Sequence, residues 1–170
     1  MPIWPFRRSR AETDAEQLLE IVTAVSRNPA FFGPGRAPDT LEGRFEMMTL
    51  IASLALMRLQ REGELAPLAQ AFTDQLFRQF DAGLRETGVS DTAVPKRMHK
   101  LAGDFYGRLG AYAAAVEAGD GAALGEAIAR NTLVAEAGPL TDFVLNAAAA
   151  QAERPASALL QPDGWPSPPR

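Results

Sequence analysis

The chain has 170 residues, 46% of them apolar and 22% charged, the balance of one globular domain with a sizeable core and short tails. A net charge of −4 and a pI near 5.1 exclude a general nucleic-acid binder and confine any basic surface to a local patch. With no cysteine, disulfides and cysteine-ligated zinc or iron–sulfur centres are excluded, which fits a reducing compartment.

The first ten residues, MPIWPFRRSR, lack the apolar segment of a signal peptide. The longest apolar run, Met47 to Met57, falls short of the roughly 20 residues a membrane-spanning helix needs. A cytoplasmic location is therefore expected. Residues 1–9 form an arm in which Trp4 and Phe6 stand beside Arg7 and Arg8. One reading is a loosely docked terminus; the other is a peripheral contact with a membrane surface or an acidic partner.

Ser9 and Glu12 have the spacing of a capping box, which predicts a first helix through Leu18, Leu19, Ile21, Val22 and Val25 to about Arg27. The next stretch, Asn28 to Asp39, is too rich in proline and glycine for a helix. Phe31 and Phe32 are expected to pin it to the core, an exposed aromatic pair being the alternative. Asp39 or Thr40 caps a second helix, from about Leu41 to Arg61. Its middle, MMTLIASLALM, is apolar nearly all round, and such a helix is usually buried on every side. It is read as the central helix of a bundle.

A third helix begins near Ala66-Pro67, where proline is tolerated in a first turn, and runs to about Glu86 with Phe72, Leu76, Phe80 and Leu84 on one face. The turn from Thr87 to Thr92 offers Gly88 for a helix C-terminus and hydroxyl or carboxylate side chains to cap the next helix. That fourth helix spans about Ala93 to Glu117, with Met98, Leu101, Phe105, Leu109 and Tyr112 at helical spacing. Ala122, Leu124, Ile128 and Leu133 mark a fifth, and a sixth starts near Leu140 after Gly138-Pro139. The proline-rich segment 151–170 reads as an extended or disordered tail. No alternating strand pattern occurs. The fold class is all-α: a single helical domain over 10–150, a bundle of about six helices, between the arm of 1–9 and the tail.

Motifs for catalysis are missing. There is no GxxxxGK[ST], GxGxxG or GxSxG sequence, and His99 has no cysteine or second histidine to complete a metal site. Asp81, Asp91 and Asp104 lack ligand spacing, and no Glu-x-x-His pair of a di-iron bundle is present. Neither an enzyme nor a cofactor is expected. Lys96, Arg97, His99 and Lys100 crowd the start of the fourth helix, where cations oppose the helix dipole; local helix stability would not select them, and a partner-facing role is one reading. The competing explanation is a solvated face, since Lys100, Asp104 and Arg108 fall at ladder spacing, worth tenths of a kcal/mol per pair. Met47, Met48, Met57 and Met98 lining a cavity for a lipid or small molecule is a further reading, although methionine more often fills core gaps.

Three stretches carry a resemblance to a known family: PDTLEGRFEMMTL at 38–50 with MRLQREG at 57–63, DQLFRQFDAGLRETGVSDTAVPKRMHKLAGDFYGRLGAY at 74–112, and the weaker LGEAIARN at 124–131. In these the chain resembles the ubiquinol–cytochrome c chaperone family over about residues 18–145, the arm and tail lying outside. Family members often carry a histidine after the leucine of the second helix, where this chain has Leu50-Ile51. The resemblance implies an assembly factor that holds newly made cytochrome b during biogenesis of the cytochrome bc1 complex, near the ribosomal tunnel exit, at the inner face of the membrane. On that basis Lys96, Arg97, Lys100 and Arg108 are expected to face the partner, with Phe105 or Tyr106 as apolar contacts. Arg44 and Glu46 are assigned either to the partner or to neighbouring side chains. A generic helical interaction module is the alternative.

Overall fold

Thr40, in extended backbone, accepts the Gly43 N–H on its hydroxyl at 3.1 Å and so starts the helix around which the others assemble. This helix, α2 (Leu41–Leu59), has no polar face and becomes the axis of the bundle. Its flanking helices are α1 (Arg10–Ser26), α3 (Ala66–Glu86), α4 (Val94–Glu117), α5 (Gly121–Thr132) and α6 (Gly138–Ala152), and α2 touches all five. The structure, a computed structural model, describes residues 8–169. The expected arm residues Trp4, Phe6 and Arg7 lie outside these.

All of α2 from Met47 to Leu56 is buried, as its apolar circumference requires. Of its two polar breaks, Ser53 donates to the Thr49 carbonyl at 2.7 Å, whereas the Thr49 hydroxyl is buried without a partner. The α1 capping box forms as its spacing predicts, the Ser9 N–H donating to the Glu12 carboxylate and the Glu12 N–H to the Ser9 hydroxyl. In α3 the buried face is Phe72, Thr73, Leu76 and Phe80, packed against α1, α2 and α4. Gly88 closes α3 at φ +82°, a left-handed conformation open to glycine. Phe31 is buried and meets Phe143 of α6 edge-on at 5.2 Å, while Phe32 is half-buried.

Gly43 is where α2 comes closest to the chain that leads into it. A Cβ at this position would lie 2.0 Å from the Pro38 carbonyl oxygen. Backbone cannot yield as a side-chain tip can, so Gly43→Ala is expected to lower stability by about 1–3 kcal/mol, the range for overpacking, measured by urea unfolding. An unchanged midpoint would show that the 28–39 loop moves freely off α2.

Four expectations are corrected. The segment expected as a loose tail is folded over its described residues 151–169: after α6, short 3-10 turns at Ala156–Leu160 and Pro162–Gly164 fold back and bury Leu159 and Trp165. The Trp165 indole N–H donates to the Leu159 carbonyl at 3.2 Å, and Gln17 of α1 donates to the Leu160 carbonyl at 2.7 Å. Arg58 anchors the junction. Buried at the end of α2, it donates to the carbonyls of Gln151 (2.8 Å) and Arg154 (3.0 Å) and pairs with Glu62 at 2.6 Å, so its charge meets the negative end of α6.

Leu133 belongs to no buried face of α5. It is exposed and caps that helix at φ +59°, turning the chain toward α6, which starts at Gly138 with Pro139 in its first turn. No side chain of the 87–92 turn caps α4. Its N-cap position is held by Ala93, Ser90 contacts Thr92, and Asp91 pairs with Arg85. Leu101, expected in the core, is half-buried.

Candidate functional site

Helix α4 carries nearly every side chain expected to meet a partner, and its rotation sorts them. Phe105, Leu109 and Tyr112 point into the core. Phe105 is fully buried in an aromatic cluster, 5.5 Å from Phe77 of α3 and 6.5 Å from Phe80. It is therefore no partner contact; its role is to hold α4 on α3. The next residue, Tyr106, is turned about 100° round the helix. It is 52% exposed with its ring 5.9 Å from Phe77, so one edge of the aromatic cluster reaches solvent.

Lys96, Arg97, His99 and Lys100 are all exposed. Lys96 and Arg97 make no ion pair among the described residues, and α4 begins without a side-chain cap. Two cations thus stand at the positive end of a helix with nothing offsetting them. Further along the same side Gly103, Gly107 and Gly110 are exposed, with open space above each. Beside Tyr106 lies a cleft of about 300 Å³ between the end of α2 and the start of α3, walled by Leu56, Leu59, Ala66, Ala69 and Thr73. A second, of about 290 Å³, lies between the 28–39 loop and the α5–α6 connection. Neither has a methionine in its wall. Met47 and Met48 are buried, Met48 accepting a contact from Ser26 at 3.7 Å.

Arg108 and Glu46 do not face outward as a pair. Glu46 is buried on α2, and the Arg108 guanidinium reaches it across the α2–α4 seam at 2.6 Å. Both are taken up by the bundle itself. Burial nevertheless pushes the Glu46 carboxyl up to about 6, against the opposing pull of Arg108. Desolvation outweighs the partner here because only one carboxylate oxygen is engaged: Glu46 Oε2 and Arg108 Nε have no hydrogen bond. The Thr49 and Tyr112 hydroxyls, one helical turn along α2 and α4, are likewise buried without a partner. Burial pushes the Tyr112 phenol up to about 12, with Asn131 of α5 nearby.

Arg44, at the exposed start of α2, pairs with Asp39 at 2.7 Å, which holds the Asp39 carboxyl below its ordinary value. Arg8 pairs with Glu16 on α1. Among the described residues no group of three or more His, Cys, Asp or Glu side chains is placed to hold a metal, and no helix is long and apolar enough to cross a membrane.

The molecule is thus an all-α bundle that displays unpaired cations and one aromatic edge along a single helix. The family model described as "Ubiquinol-cytochrome C chaperone" matches residues 35–162, and the chain belongs to that family. The match extends into the folded C-terminal segment. The chain is also similar to a solved structure, the crystal structure of the Cbp3 homolog from Brucella abortus, at 38% identity and a TM-score of 0.81, covering 92% of this chain and 91% of that one. No curated protein shows significant similarity to it.

Proposed function

We propose that this chain binds newly made cytochrome b and assists assembly of the cytochrome bc1 complex, with the exposed side of α4 as the surface that meets the client. Membership of the chaperone family supports the reading. The observation that carries the choice of surface is the set of unpaired cations Lys96 and Arg97, next to Lys100, on the helix that also exposes Tyr106. Arg and aromatic side chains are the usual anchors of interfaces. The bare glycine surface at Gly103, Gly107 and Gly110 leaves room for a client segment to lie close to the backbone. Arg44, exposed at the start of α2, is a further contact in this reading. Work beside the ribosomal tunnel exit, and peripheral contact with the inner face of the membrane through Trp4, Phe6, Arg7 and Arg8, belong to the same proposal.

Deletion of the gene, followed by difference spectra of the cytochromes, tests it. Loss of cytochrome b with other cytochromes retained is the expected result; normal cytochrome b would return the chain to a helical interaction module with another partner. The surface has its own test. Arg97→Glu with Lys100→Glu is expected to weaken client capture at least tenfold and to shift Tm by no more than about 2 °C, because exposed charges away from a packed site change stability little. Acids at the start of α4 also suit its dipole. A double variant that unfolds would mark these residues as structural.

A further inference from the structure

Four charged side chains of alternating sign run from the core to the surface of α4. Glu46 lies 2.6 Å from Arg108, Arg108 lies 4.0 Å from Asp104, and Asp104 lies 2.6 Å from Lys100. Side-chain exposure rises along the series: 5% for Glu46, 18% for Arg108, 40% for Asp104 and 78% for Lys100. The buried end is the poorly satisfied one. Glu46 uses one oxygen, Arg108 leaves Nε unpartnered, and the nearby Thr49 and Tyr112 hydroxyls bond to neither. Neutralising one member of such a pair removes the attraction that holds it and leaves the other charge in need of a new counterion.

We propose that these residues form a proton-linked relay, in which a proton taken from solvent by Glu46 lets Arg108 shift its ion pair outward to Asp104, freeing Lys100 on the exposed side of α4. The geometry places Asp104 as the one carboxylate among the described residues within 4.0 Å of both cations. When Glu46 is ionised, Arg108 is engaged inward and Asp104 serves Lys100; when Glu46 is neutral, Asp104 is the remaining anion for Arg108. The charged neighbours act in opposite senses. Glu42 on α2 and Asp104 on α4 both oppose the Glu46 charge, Arg108 alone favours it, and Arg130 and Asn131 of α5 lie toward Tyr112. Burial sets the working range by holding the Glu46 carboxyl up at about 6, between neutral and mildly acidic pH. As a regulator of client binding the relay rests on the reading of α4 given above, but its chemistry does not.

The test is a pH titration of the full chain by NMR from pH 4.5 to 8, following the Glu46 side-chain carboxyl carbon, the Arg108 Nε–H and the Lys100 side-chain methylene next to the ammonium. A Glu46 midpoint near 6, with inflections of Arg108 and Lys100 at the same pH, is the expected result. In Glu46→Gln both inflections should vanish; in Asp104→Asn the Lys100 inflection should vanish while that of Arg108 persists. A Glu46 midpoint at the ordinary carboxylate value, or a Lys100 signal that ignores it, overturns the relay. The unmutated protein alone decides this even if a variant fails to fold. Because no client is present, the result stands apart from whether cytochrome b is the partner.

Discussion

Replacing Phe72 by Ala is expected to lower the unfolding free energy by about 3–5 kcal/mol, the range for a fully buried Phe. Phe72 has no exposed surface and sits on the face of α3 that packs against α1, α2 and α4. Truncation removes the transfer energy of the ring and leaves a cavity that three helices must close around. A domain of this kind holds roughly 5–15 kcal/mol in all, so the loss should appear as a fall in Tm of about 6–20 °C. Urea unfolding followed by far-UV circular dichroism measures it. A loss under about 1 kcal/mol would mean that the site collapses without strain, and Phe72 would not be a core residue in the sense argued here. Leu101→Ala, on half-buried α4 surface, serves as the control with a smaller effect.

Phe72 was legible from spacing alone, and so was α3, because Pro67 opens it and Phe72, Leu76 and Phe80 recur at helical intervals. The burial of α2 followed from its lack of any polar face. The C-terminal segment was illegible for an opposite reason. Its prolines are strong local signals against helix, whereas the burial of Leu159 and Trp165 depends on α1, α2, α6 and the carbonyls that Arg58 collects, none of them local. Within α4 the spacing that Phe105 shares with Leu101, Leu109 and Tyr112 sets it inside and Tyr106 outside, as the structure has them. The Glu46–Arg108 pair joins positions 62 apart in sequence, and no motif links them. The one signal was an acid directly before the apolar run of a helix buried on all sides. Leu133 at positive φ carries no sequence cue at all, since glycine or asparagine is the usual residue there.

Arg108→Met should destabilise the protein strongly at pH 8 and weakly at pH 5. The folded Glu46 carboxyl titrates near 6 against 4.5 for the free group, so the folded state binds the extra proton between those values. Its contribution to stability is greatest below pH 4.5 and falls as pH rises through 6, by about 2 kcal/mol at ~1.4 kcal/mol per unit. Removing Arg108 takes away the one charge that favours the carboxylate and drives the folded value higher still. At pH 8 the carboxyl escapes the unpaired buried charge by staying protonated. Measured against 4.5, that costs about 5 kcal/mol. Since the paired residue already costs about 2, the variant should lose up to roughly 3 kcal/mol relative to the parent, at the low end for a broken buried pair. At pH 5 Glu46 is largely protonated in both proteins, and only the change in packing remains, under about 1.5 kcal/mol. Glu46→Leu combined with Arg108→Met should recover most of the loss at pH 8, because replacing both charges removes the desolvation cost along with the attraction. Urea melts of parent, single and double variants at the two pH values decide the matter: a deficit in Arg108→Met that is the same at pH 5 and pH 8 would show that Arg108 acts through packing, and that Glu46 does not carry the charge assigned to it.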